Sequence, residues 1–195
     1  MWYDTPDMDR ATVCELALQK VGKFEYVSGT PGYEVCRSQF PLLYREMLQM
    51  GDWCFARRCV QLAAGVNGEY ELPPDCLRIV KLEGLSNWYR YGRCVRPASD
   101  CWYEGTVWLT YTSSSLANRG EVPDNEAPIF VQALITLLGS RLAVPVANDR
   151  QLCVSLEQQG QALLMQALAL DVQQDSSNDQ HPLNRILKQS VTEAW

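Results

Sequence analysis

From Ala127 to Ala147 the chain is almost wholly apolar, with Gln132, Ser140 and Arg141 as its main polar interruptions. The run is long enough to cross a bilayer. Arg141 lies inside it, however, and a charge at that depth costs ~3 kcal/mol. Prolines 128 and 145 stand near its two ends. A helix buried in a protein core fits these features better than a membrane span, and no membrane partner is expected. From Ile129 to Val144 the helix is apolar nearly all round, so neighbours must cover most of its sides.

Those neighbours are predicted from periodicity. From about Asp9 to Val21, Val13, Leu16 and Ala17 recur at helical spacing, and Gly22 follows as a stop. A second segment runs to about Met50, with Cys36, Phe40, Leu43, Tyr44 and Met47 in register. Pro41 lies inside it and is expected to kink or restart it. Pro123-Asp124-Asn125 reads as a capped start for the apolar helix, and Pro145 as its stop. Asn148 with Gln151 resembles a capping box opening a last helix from about Asp149 to Leu170.

The middle differs. Between Trp53 and about Ser115 short runs of period two alternate with turn residues, and Val107, Leu109 and Tyr111 alternate with Trp108, Thr110 and Thr112. No helices separate these runs for parallel crossovers, so four to six antiparallel strands are expected. The fold class is therefore α+β: a bundle of about four helices, a β-rich antiparallel insertion between the helix pairs, and a C-terminal arm. Residues 1–52 and 120–172 form the helical part, 53–119 the insertion, and 173–195 a linker and docking arm. The polar stretch Asp171 to Gln180 reads as linker.

Composition narrows the function. With 47% hydrophobic and 10% aromatic residues the chain is too apolar for a solvated coil. A net charge of −6 argues against a basic nucleic-acid-binding module. The opening Met1-Trp2-Tyr3-Asp4-Thr5-Pro6-Asp7 has neither the basic start nor the apolar run of a secretory signal, which predicts synthesis into the cytosol. There, the eight cysteines are expected to be reduced and to fill core positions. Cys54/Cys59 and Cys94/Cys101 are spaced too widely for a usual zinc knuckle, so no metal is expected.

Catalytic constellations are sparse. His181, the one histidine, lies in the polar linker, where nothing would hold it at ~3 Å from a nucleophile. No phosphate-binding glycine motif occurs, and no cofactor is expected. Two acid groups could serve glycoside hydrolysis, Glu69 with Glu71 and Glu121 with Asp124 and Glu126. A solvated strand face and helix N-terminal charge explain them more simply.

Two segments point to binding. In Trp88-Tyr89-Arg90-Tyr91-Gly92-Arg93-Cys94-Val95-Arg96, followed by Trp102-Tyr103, arginines interleave with aromatics. Such residues are enriched at protein interface hot spots. The plainer reading is a hairpin whose aromatics pair across strands and whose arginines face solvent. The C-terminal piece places Leu183, Ile186, Leu187, Val191 and Trp195 on one helical face. A tethered amphipathic helix of this kind can dock in a partner's groove or fold back on its own domain.

Taken in order, several motifs resemble one family. They are Leu16 to Gly22, Cys36 with Tyr44-Arg45 and Leu48, Trp53-Cys54-Phe55-Ala56, and Tyr70-Glu71-Leu72-Pro73-Pro74-Asp75-Cys76-Leu77-Arg78. The strand Val107 to Tyr111 and the segments Phe130 to Leu134 and Arg141 to Pro145 complete the set. Over roughly residues 9 to 172 the chain resembles the head-to-tail adaptors of short-tailed bacteriophages, the tail tubular protein A family. Pro41 departs from the family's uninterrupted second helix, and the residues after Val172 match nothing assignable.

The resemblance implies a structural protein without enzymatic activity, made in the host cytoplasm and carried in the virion. Family members form a ring, usually of twelve, between the portal protein and the tail nozzle, and help retain the packaged genome. On that pattern Leu183, Ile186, Leu187, Val191 and Trp195 would meet the portal. Trp88, Tyr89, Arg90, Tyr91, Arg93, Arg96, Trp102 and Tyr103 would serve the tail-side or subunit interface. Twelve copies at −6 each carry a formal −72, so an acidic lumen is expected to let DNA pass without tight binding. Two other readings stand beside this one: a phage-associated cell-wall hydrolase, and a monomeric binding module using the Arg/Trp/Tyr segment.

Overall fold

The computed structural model describes residues 8–23, 26–65, 68–98 and 105–174. In chain order these form α1 (Arg10–Lys20), α2 (Pro31–Met50), a 3-10 turn (Cys54–Ala56) and six strands. The strands are β1 (Arg57–Ala63), β2 (Tyr70–Glu71), β3 (Cys76–Glu83), β4 (Trp88–Tyr91), β5 (Cys94–Pro97) and β6 (Thr106–Ser113). Then come α3 (Ser115–Arg119), α4 (Pro128–Ala147) and α5 (Arg150–Gln174). The fold is α+β, with four long helices around one core and two small antiparallel sheets inserted between the helix pairs.

α4 is the centre of the helical cluster and packs against α1, α2 and α5. It is the apolar segment read from the sequence. Its length and composition would suit a membrane, yet 67% of its most apolar window is buried inside the protein. Phe130 anchors an aromatic knot drawn from three segments. Its ring meets Trp53 at 4.8 Å, Phe55 at 5.0 Å and Tyr44 at 5.7 Å. Buried polar atoms of the knot find partners, as burial requires. Trp53 Nε1 donates to the Met47 carbonyl at 2.9 Å, and the Tyr44 hydroxyl donates to the Glu121 carbonyl at 3.0 Å.

One sheet has the order β1-β6-β3 and the other β2-β5-β4. Val107, Leu109 and Tyr111 of β6 point into a second apolar cluster with Leu62, Tyr70, Leu82 and Val95. Asp75 ties the end of β6 to the start of β3. Its carboxylate accepts from the Tyr111 hydroxyl at 3.3 Å and from the Ser113 hydroxyl, and its carbonyl accepts from Ser114 N–H at 2.8 Å.

Several sequence expectations are corrected. α2 continues through Pro41 without restarting, because Phe40, Leu43, Tyr44 and Met47 are buried in the shared core and hold the turns on both sides. Pro145 likewise lies inside α4, whose last turn is closed by N–H groups of Asn148 and Asp149 donating to Val144 and Ala143 at 3.0 Å each. Asn148, at φ 52°, therefore ends α4 and does not open α5. Asp149 does that, accepting from Leu152 N–H at 2.8 Å. The expected cap at Pro123-Asp124-Asn125 is absent. α4 starts at Pro128, and Asp124 accepts from Met8 N–H at 3.3 Å. The first residues of the expected linker, 171–174, belong to α5, because the Asp171 carboxylate accepts from Cys54 N–H at 3.1 and 3.2 Å. The cysteines do not all fill core positions: Cys14, Cys36 and Cys76 are buried, Cys54, Cys94 and Cys153 are half-buried, and Cys59 is exposed. Cys59 lies on β1 opposite Thr110, on the side of the sheet away from the apolar cluster.

Candidate interaction surface

β4 and β5 form an antiparallel hairpin across Gly92-Arg93, with Gly92 at φ +59°. A two-residue turn with that first dihedral favours glycine, and its twist matches the strands. The register sets Trp88 opposite Pro97, Tyr89 opposite Arg96, Arg90 opposite Val95 and Tyr91 opposite Cys94. Alternation then sorts the segment onto two faces. Trp88 packs against the β-side apolar cluster, on the side shared with buried Val95. Tyr89, Tyr91 and Arg96 stand together on the other side.

Tyr91 is 61% exposed and Tyr89 47%. The Arg96 guanidinium sits 4.4 Å from the Tyr91 ring centroid and donates to the Glu69 carboxylate. That hydrogen bond raises the already high pKa of Arg96. The aromatics therefore pair across the strands with proline, arginine and cysteine, not with one another. Arg90 is turned to structural use, donating to the carbonyls of Leu77 at 3.3 Å and Gly92 at 3.2 Å. Arg93 is exposed at the turn. Trp102, Tyr103 and the arm residues Leu183, Ile186, Leu187, Val191 and Trp195 lie outside the described residues, as does His181.

Glu69 changes what this surface can recognise. By pairing with Arg96 it cancels the charge next to the two tyrosines, so the patch is aromatic and nearly neutral. Rigid aromatic area beside a compensated ion pair suits a protein surface better than a phosphate backbone. The sequence reading missed this partner, which lies 27 residues from Arg96.

Two more exposed apolar sites were not singled out from sequence. Trp108 on β6 is 49% exposed, between Gln61 of β1 and Glu83 of β3. Its place outside the core was already implied by the alternation with Val107 and Leu109. On α5, Val154, Met165 and Leu170 are exposed. Among the exposed residues from Gln151 to Gln173, Glu157 alone is charged.

Three of the five acids weighed for hydrolysis are engaged locally. Glu69 pairs with Arg96, Glu121 pairs with Arg119 at 2.7 Å, and Asp124 accepts from Met8 N–H. Among the described residues, no three His, Cys, Asp or Glu side chains converge as a metal site would need. Hollows of about 500 and 570 Å³ open on the helical side. The first is lined by Leu18, Lys23, Thr30 and Pro145 among others, and the second by Leu16, Lys20, Ile135 and Leu163. Among the described residues that line them, none is His, Cys, Asp or Glu. Comparison with protein-family models and with curated proteins finds no match for this chain.

Proposed function

We propose that this chain is a head-to-tail adaptor of a short-tailed bacteriophage, a structural subunit without catalytic activity. It joins its own copies in a ring between the portal protein and the tail nozzle, closes the filled head and continues the DNA channel. The ring would have twelve subunits if the family's usual number holds. The observation that carries the reading is where the resembling motifs fall. Trp53-Cys54-Phe55-Ala56 forms the junction between the helical core and the first sheet, and Tyr70 to Cys76 links the two sheets through Asp75 and Tyr70. The resemblance therefore lies in the residues that define this architecture.

Two surfaces support the assembly part of the proposal. A ring subunit meets its two neighbours through different faces. The Tyr89/Tyr91/Arg96 face and the outer face of α5 are separate surfaces on different units of the fold. The α5 face is short of charge, as the centres of protein interfaces are.

Light scattering on the purified chain, alone and mixed with the portal protein of the same phage, tests the proposal. The expected result is a discrete ring-sized mass added to the portal, with DNA not retained by the assembly at ~0.15 M salt. A chain of 22.1 kDa that ignores the portal overturns it and returns attention to cell-wall hydrolysis.

A further inference from the structure

α2 and α5 both pack on α4 and leave a groove between them. Leu43 and Met47 of α2, Leu137 of α4 and Leu164 of α5 floor it, with Met50 and Cys153 beside them, around a hollow of about 240 Å³. Exposed apolar side chains follow its course. Met50 lines it, Leu42 precedes Leu43, and Val154 and Met165 follow Cys153 and Leu164. Each of these four is more than half exposed, so apolar surface stands uncovered on both helices that form the groove. The rim is acidic. Arg141 holds Glu46 and Gln39, whereas Glu157 pairs with no cation among the described residues, so one negative charge is left over.

We propose that this groove holds residues 183–195 of the same chain, packed as a helix antiparallel to α5. Reach selects this occupant. α5 is described to Gln174, and residues 175–182 span at most ~28 Å. Leu164 lies ~15 Å back along α5 and Cys153 ~32 Å, so Leu183 reaches the near end of the groove and not the far one. Met50 belongs to that near end, because Gly51 closely approaches Leu168. From there a helix of residues 183–195 runs ~18 Å, against ~17 Å from Leu164 to Cys153.

The side chains match as well. Leu183, Ile186, Leu187, Val191 and Trp195 share the face turned to the groove, and Arg185 and Lys188 against Glu193 leave the segment one positive charge. Laid antiparallel from Leu164, Lys188 comes within a turn of Glu157. Leu137 and Gly139 of α4 meet Gly160 and Leu156 of α5, which brings Arg141 close to the level of Glu193. Lys188 and Glu193 fall on opposite flanks of the apolar stripe, as Glu157 and Arg141 require.

Leu43, Met47, Leu137 and Leu164 are buried without the arm, so its departure leaves the core packed. On the adaptor reading, docking would keep Val154 and Met165 covered until the portal draws the arm away. That consequence rests on the adaptor reading, and the docking itself does not.

The test uses the whole chain, with p-benzoylphenylalanine replacing Leu187, in a mixture of isotopically light and heavy protein. Illumination is expected to link that position to a peptide carrying Met47 or Met50, or to residues 153–164, with light joined only to light and heavy to heavy. Light joined to heavy, linkage elsewhere on the surface, or no linkage overturns the proposal. Iodoacetamide gives a second reading on the native protein. Deleting residues 182–195 should speed alkylation of half-buried Cys153 by about fivefold, with exposed Cys59 unchanged as the control. Glu157→Lys should speed it too, and adding Lys188→Glu should restore the protection. An unchanged Cys153 rate on deletion, or no rescue by Lys188→Glu, overturns the proposal. The portal takes no part in either measurement, so a failure of the adaptor reading is seen separately.

Discussion

Asp9 shows how one side chain sets a boundary. Its carboxylate accepts from Thr12 N–H at 2.9 Å and from the Thr12 hydroxyl at 2.8 Å, which starts α1. Those bonds hold its pKa below the usual 3.8. A carboxylate with a depressed folded pKa contributes stability that is complete above the unfolded value and is lost as pH falls through the folded one. Asp9→Ala should therefore cost about 1 kcal/mol at neutral pH. In paired urea melts, the gap between wild type and variant should narrow on acidification below pH 3.8. Asp171 titrates in the opposite sense. Burial raises its pKa despite the two hydrogen bonds from Cys54, so its ionised form is held at some cost. Nothing near Asp171 in the sequence announces that role, because Cys54 lies 117 residues away.

At the scale of elements, the contact of α4 with α5 is the most extensive among the described residues, and it depends on the absence of a side chain. A Cβ at Gly160 would lie 2.5 Å from Leu137 Cγ and 3.2 Å from the Leu137 backbone nitrogen. Alanine is the better helix former by up to ~1 kcal/mol, but overpacking a close helix contact costs ~1–3 kcal/mol. The clash involves backbone as well as side chain, so it wins. Gly160→Ala is expected to lower stability by about 1–2 kcal/mol, read as a lower urea midpoint with an unchanged slope. Helix positions were legible at this scale because the 3.6-residue period is local. The effects of Pro41 and Pro145 were not, because packing and cap bonds supplied by other residues decided whether the helix continued.

For the molecule as a whole, the exposed hairpin face and the arm carry separate predictions. Tyr89→Ser with Tyr91→Ser removes aromatic area from solvent-facing positions. Far-UV circular dichroism and melting temperature should stay within about 2 °C of wild type. Ring formation on the portal, or attachment of the nozzle protein, should fall at least tenfold. A loss of about 1.4 kcal/mol per tenfold is within reach of two interface aromatics. Deleting residues 182–195 should abolish portal binding while leaving the melting curve nearly unchanged. Collapse of the fold on that deletion would instead make the segment part of the core.

The sequence by itself determined that α4 is buried, that helices flank a strand-rich middle, and which side of β6 faces inward. Each of these follows from local periodicity, where one residue's environment is implied by neighbours two, three or four positions away. Only the tertiary structure decided that β6 lies between β1 and β3 while β2, β5 and β4 form a separate sheet. It also decided that Arg96 is neutralised by Glu69, that Arg90 serves the backbone, and that Cys36 Sγ reaches the Cys14 carbonyl. Those pairings join residues 13 to 27 positions apart, and a one-dimensional pattern gives each residue a face without giving it a partner.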